Sequence, residues 1–91
     1  MPETNVIRVR YWAAAKAAAG TDSDDLRVEG ATTLAELRTA AAALHPGTRL
    51  AEVLAACSTL VGEQPVGLAD PTSFVIEPGS SVEFLPPFAG G

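Results

Sequence analysis

Two consecutive prolines near the end of the chain, Pro86 and Pro87, constrain it more than any other feature. Neither has a backbone N–H to give to a sheet, and each ring holds φ near one value. The apolar run Val82 to Leu85 must therefore stop there as a strand and continue as extended chain. The last four residues, Phe88-Ala89-Gly90-Gly91, carry no charged side chain. Domain ends usually fray and carry polar filler, so the stretch 86–91 is expected to be an extended tail made to be inserted elsewhere. Gly90 and Gly91 lack a Cβ, and their backbone can pass through a channel too narrow for any side chain. The carboxylate of Gly91 is then the candidate reactive group.

The rest of the chain reads as one small α+β domain over residues 1–91. Val6 to Trp12 alternates, with Ile7, Val9 and Tyr11 on one face and Arg8, Arg10 and Trp12 on the other, as in a half-buried strand. Ala13 to Ala19 is a short alanine-rich helix closed by Gly20. Thr21 to Asp25 is expected to turn into a second strand that sends Leu26 and Val28 inward. Thr33-Leu34-Ala35-Glu36 has the spacing of a capping box, so the main helix starts there. Leu34, Leu37, Ala41 and Leu44 form its sheet-facing stripe, and Pro46-Gly47 stops it.

Leu50, Val53 and Leu54 fit one more helical turn, Cys57 to Val61 a third strand, and Val66 the neighbourhood of a short edge strand. Pro78-Gly79 signals a type II turn before the final strand. In that strand Val82 and Phe84 take the core side, leaving Glu83 and Leu85 on the open face.

Composition excludes several functions. At 91 residues there is room for one core and little for a buried cleft. A net charge of −5 with six Lys and Arg lacks the footprint of a nucleic-acid binder. No apolar run approaches the roughly 20 residues of a membrane helix. The first residues have neither a basic leader nor an apolar segment, and one cysteine allows no internal disulfide, so a cytoplasmic location is expected. No catalytic constellation, metal-ligand spacing or phosphate loop is visible. His45, beside Pro46, reads as a charge opposing the helix dipole, and Cys57 as a small core hydrophobe.

A hydrophobic strand followed by Pro86-Pro87, apolar Phe88, small Ala89 and terminal Gly90-Gly91 resembles the MoaD/ThiS family of ubiquitin-like sulfur carriers. It is most similar to the branch that serves as the small subunit of molybdopterin synthase. Ile7-Arg8-Val9-Arg10-Tyr11-Trp12-Ala13 and the helix ending at Gly20 are similar to that family's first strand and helix. The resemblance implies a β-grasp fold, a mixed sheet with its first and last strands parallel at the centre and the second and third on the flanks. One main helix covers one face.

It also implies a carrier without an active site or bound cofactor of its own. A ubiquitin-activating-type enzyme would spend ATP to adenylate Gly91, and sulfur attack would leave a thiocarboxylate there. The large subunit of molybdopterin synthase, in a heterotetramer, would use that sulfur for the dithiolene of the molybdenum cofactor. Pro86, Pro87, Phe88 and Ala89 would be read as the tail, and Arg8, Arg10, Trp12, Leu60 and Leu85 as the docking face. Phe88 departs from the smaller apolar residue often found there. Other outcomes stay open: sulfur delivery for thiamin or for cysteine or methionine, a modifier joined to proteins through Gly91, and a non-covalent binding module.

Overall fold

A computed structural model describes residues 5–87. Phe88, Ala89, Gly90 and Gly91, expected to form the reactive end of the tail, lie outside the described residues. Strand β1 (Val6–Tyr11) is followed by α1 (Ala14–Ala19), and β2 (Ser23–Arg27) returns antiparallel to β1. This is a hairpin with a helix in its connection. Next come the two-residue β3 (Thr32–Thr33), α2 (Leu34–Ala43), α3 (Leu50–Ala56), β4 (Ser58–Val61), β5 (Gln64–Pro65), β6 (Val75–Ile76) and β7 (Ser81–Leu85).

The main sheet has the order β2-β1-β7-β4-β5, with β1 and β7 parallel and the other neighbours antiparallel. This is the expected mixed α+β arrangement, a β-grasp sheet with the first and last strands side by side. Gly79 makes the turn into β7 at φ 89°, a region that penalises other residues, and its N–H donates to Val6 O at 2.8 Å.

Strand alternation selects the buried face. Ile7, Val9, Tyr11, Val82 and Phe84 are each 1% exposed or less, and α2 and α3 cover them with Leu34, Leu37, Ala41, Leu50 and Leu54. Burying each of the larger aliphatic side chains contributes about 1.5–3 kcal/mol. The start of α2 is fixed as expected. Glu36 N–H donates to Thr33 Oγ1 at 3.1 Å, and Thr33 N–H donates to Glu36 Oε1 at 3.0 Å.

Several expectations are corrected. Leu44 leaves the core stripe and is 48% exposed, because α2 ends at Ala43 and the chain turns with Leu44 N–H on Ala41 O. The single turn expected near Leu50 is a complete third helix, α3, whose Leu50 and Leu54 are buried. β2 starts among the acidic residues expected to be turn, because their backbone pairs with Val9 and Arg10. Val28 lies just past its end, partly buried. Val75 and Ile76 pair with Thr33 and Thr32 in a separate two-stranded ribbon, which shields Ile76.

Candidate functional site

The face of the sheet opposite the helices is built from strand parity. Strand pairing places Arg10, Glu83 and Leu60 in one row across β1, β7 and β4. Leu85 lies level with Ser58 in the next row, and Trp12 follows Tyr11, the partner of Phe84. The three chain segments therefore bring Arg10, Trp12, Leu60 and Leu85 onto the same open face, with Glu83 among them. Arg8 stands further back on β1.

Trp12, Arg10 and Arg8 each have a partner on this face. The Trp12 indole Nε1–H donates to Glu83 Oε1 at 3.0 Å, and the Arg10 guanidinium lies 5.3 Å from the centre of the same ring. Trp12 remains 41% exposed, so the ring is held in place while most of its area is still available. Arg8 Nε donates to Asp25 Oδ1 at 2.8 Å across the β1–β2 pair, and the carboxylate raises the guanidinium pKa. Both side chains stay in solvent, where such pairs add little to stability.

At the end of β7, Trp12 N–H donates to Phe84 O at 3.1 Å, joining the exit of β1 to the start of the tail. The next residue, Ala13, has φ 52° and ψ −122°, which a residue with a Cβ rarely adopts. That twist starts α1 directly after Trp12. Pro86 and Pro87 then border an apolar groove of about 380 Å³ with Trp12, Ala14, Val53 and Ala56. The base of the tail is thus backed by α1 and α3 and flanked by the indole.

On the other side of β7, Leu60 and Leu85 are partly buried walls of a second groove with Arg38, Thr59 and Val66. Cys57 borders both grooves. Burial pushes its thiol pKa up, against the opposing charge of Arg38, which disfavours the reactive thiolate. Among the described residues no three His, Cys, Asp or Glu side chains gather as a metal ion would require. His45 does not act through the helix dipole alone: its Nε2 lies 2.6 Å from Asp24 Oδ2, on the far side of the core from the open face.

Sequence reading missed Glu83 as the clamp on Trp12, although strand parity had placed it on the right face. It also missed Arg38, which lies between helical neighbours and carries no signal until α2 is set beside β4.

A mixed five-stranded sheet with parallel central strands and helices on one face defines a ubiquitin-like β-grasp protein. Residues 9–91 match the ThiS family, and the chain belongs to that family, of the ThiS/MoaD type of ubiquitin-like sulfur carriers and modifiers. No curated protein sequence matches it. Among solved structures it is similar to small archaeal modifier protein 1 (SAMP1) from Methanosarcina acetivorans, at 16% identity and a TM-score of 0.72, over 99% of this chain and 100% of the other. It is also similar to Urm1 from Trypanosoma brucei, at 18% identity and a TM-score of 0.68, over the whole of both chains. A putative molybdopterin converting factor subunit 1 from Pyrococcus furiosus matches at 17% identity and a TM-score of 0.65, over 91% of this chain and 98% of the other. At such identities the likeness is one of fold. Members of the family work with activating enzymes and partner subunits.

Proposed function

We propose that this chain is the sulfur-carrying small subunit of molybdopterin synthase, with Gly91 as its reactive end. The observation that carries the reading is the position of β7. It is a central strand held on both sides by β1 and β4, and it leads straight into Pro86 and Pro87. A tail leaving a central strand is aimed by the whole sheet, and the prolines keep it from folding back into a ladder. Membership of the ThiS family supports the same chemistry.

In the proposed cycle a partner enzyme joins the Gly91 carboxylate to the AMP of ATP, releasing pyrophosphate. A sulfur nucleophile attacks the acyl carbon and AMP leaves with the bonding electrons, which produces the thiocarboxylate. Its sulfur then attacks an electrophilic carbon of the acceptor and displaces an oxygen leaving group, which departs with the bonding electrons and takes up a proton. Water cleaves the acyl–sulfur bond, leaving sulfur on the acceptor and the carboxylate on Gly91. Pro86, Pro87, Phe88 and Ala89 would present the group, and Gly90 and Gly91 would let it thread a narrow channel. Arg10, Trp12, Leu60 and Leu85, with Arg8 behind them, would hold the body of the carrier, because a short tail alone contributes limited affinity. The partners are an adenylating enzyme and the large subunit, two carriers to a dimer of the latter.

The test is the intact mass of the chain after incubation with adenylating enzyme, ATP and a sulfur donor, with Gly91 deleted as control. Replacement of one oxygen by sulfur, absent in the deletion, is expected. No gain from an active enzyme overturns the reading. A second reading, conjugation to lysines, is favoured by the fold shared with a protein named as a modifier. It predicts an isopeptide-linked product instead. Transfer of the sulfur to a thiamin or amino-acid precursor would keep the carrier chemistry and change the acceptor.

A further inference from the structure

The groove at the base of the tail, between α1 and α3, is walled by Trp12, Ala14, Val53, Ala56, Pro86 and Pro87 and has a volume of about 380 Å³. Of the residues assigned to the open face, Trp12 alone borders it. Ala14, Ala56, Pro86 and Pro87 are exposed, and so is Trp12, the chain's only tryptophan. Arg49 and Glu52 also line it, in contact with each other at 3.4 Å and open to solvent. Apolar surface gathered in a concavity is surface that an apolar side chain can remove from water. A cavity of about 150 Å³ already holds a benzene ring, so one aromatic side chain has room here.

The path of the chain selects the occupant. Pro87 is itself a wall of the groove, and the residues after it are Phe88, Ala89, Gly90 and Gly91. Of these four, Phe88 alone has a large apolar side chain, and its Cα must lie about 3.8 Å from that of Pro87. A ring tethered so close loses little further chain entropy on reaching the groove, because the two prolines already restrict the tail at its base. An untethered side chain from another molecule would also have to offset its lost translational and rotational freedom. The tether therefore favours Phe88 over any free competitor.

We propose that in the free chain the Phe88 ring seats in this groove, against Ala14, Val53 and Ala56, and holds the tail on the body of the domain. The seat itself requires no sulfur chemistry, whereas its consequence rests on the proposed function. Three residues beyond Phe88 span at most about 11 Å, so the Gly91 carboxylate stays close to α1 and α3 while the ring is seated. Entry of Gly91 into a partner's channel then requires Phe88 to leave. The groove is a latch that a partner opens by taking up the ring.

The experiment is amide- and methyl-resolved NMR of the full chain, beside Phe88→Ala, Ala14→Glu and a chain lacking Gly90 and Gly91. The full chain is expected to show nuclear Overhauser contacts from the Phe88 ring to the methyl groups of Val53, Ala14 and Ala56, independent of protein concentration. Phe88→Ala should shift the amides of Ala14, Val53 and Ala56 and the Trp12 indole N–H, leave those of Thr33 to Leu37 in place, and raise the quenching of Trp12 fluorescence by acrylamide. Ala14→Glu, which the first turn of a helix tolerates, should abolish the ring contacts in a folded chain. Removal of Gly90 and Gly91 should preserve them, and their loss there would make the terminus the anchor and overturn the role of the ring. No ring contact in the full chain, or groove signals unmoved in Phe88→Ala, would overturn the seat. Contacts seen only between differently labelled copies would assign the groove to the tail of a second copy and overturn the latch. The mass assay on Gly91 reads the sulfur chemistry separately, so either reading can fail while the other stands.

Discussion

Asp24 Oδ2 lies 2.6 Å from His45 Nε2 and accepts a hydrogen bond from Tyr11 Oη at 2.9 Å. One carboxylate oxygen on β2 thus joins the segment after α2 to the core tyrosine of β1. The His45 ring stands edge-on to Tyr11, with centroids 6.2 Å apart, and Tyr11 stacks on Phe84 at 6.4 Å. A partly buried polar cluster therefore fastens the main helix to the sheet at the end remote from the capping box.

Asp24→Ala should destabilise the fold by about 1–3 kcal/mol, because it leaves a buried phenol and an imidazole without their acceptor. The midpoint of urea unfolding measures this. Asp24→Ala and His45→Ala should be less than additive together, since they remove one shared bond. Full additivity would mean that the contact contributes nothing.

Tyr11 is the chain's only tyrosine, so its ionisation can be followed by ultraviolet absorbance. Burial, then the hydrogen bond and negative charge of Asp24, raise its pKa above the usual 10.0. A raised folded pKa means stability that is complete below the unfolded value and lost as pH climbs towards the folded one. Stability should fall by up to about 1.4 kcal/mol per pH unit once pH exceeds about 10. Tyrosinate absorbance should appear only with alkaline unfolding, and Tyr11→Phe should remove this part of the slope. Titration of the native phenol near pH 10 would contradict the buried placement.

Ala13 adopts a backbone conformation that suits glycine. Strain at such a position costs on the order of 1–3 kcal/mol, whereas glycine gives back about 0.4–1 kcal/mol in the unfolded chain. Ala13→Gly should therefore raise the stability by about 1 kcal/mol, seen as a higher Tm, and Ala13→Val should lower it. A destabilised glycine variant would show that the positive φ is not maintained in solution.

Arg10→Glu and Leu85→Asp should each weaken binding to an activating enzyme by about tenfold or more, since one reverses a charge and the other puts a charge into an apolar contact. Calorimetric titration measures the loss, and circular dichroism should stay unchanged because both side chains lie on the open face. Arg8→Glu should act more weakly, because Arg8 already faces Asp25. Unchanged affinity in the Leu85 variant would remove this face from the docking surface.

Much of the fold was legible because local chemistry and global arrangement agree. The Thr33–Glu36 box needs only spacing, the Val6–Trp12 alternation only parity, and Pro86-Pro87 only covalent structure. The ribbon between Thr32 and Ile76 was illegible, because two residues a side carry no periodic signal. Leu44 was misplaced because a stripe assumes that the helix continues. At the candidate site the residues of the open face followed from parity, whereas the clamp of Glu83 on Trp12 joins positions far apart in the chain and has no local trace.

By itself the sequence determined which residues alternate, where α2 begins, that the last strand ends before Pro86, and that Gly90 and Gly91 carry no side chain. These are consequences of steric and hydrogen-bonding rules acting within a few residues. Tertiary structure alone decided that Asp24 serves both His45 and Tyr11, that Arg38 of α2 borders the same groove as Leu60 of β4 and Leu85 of β7, and that Trp12 is pinned beside the base of the tail. Each of these contacts joins separate elements, and their spacing is set by how α2, β4 and β7 pack over the shared core.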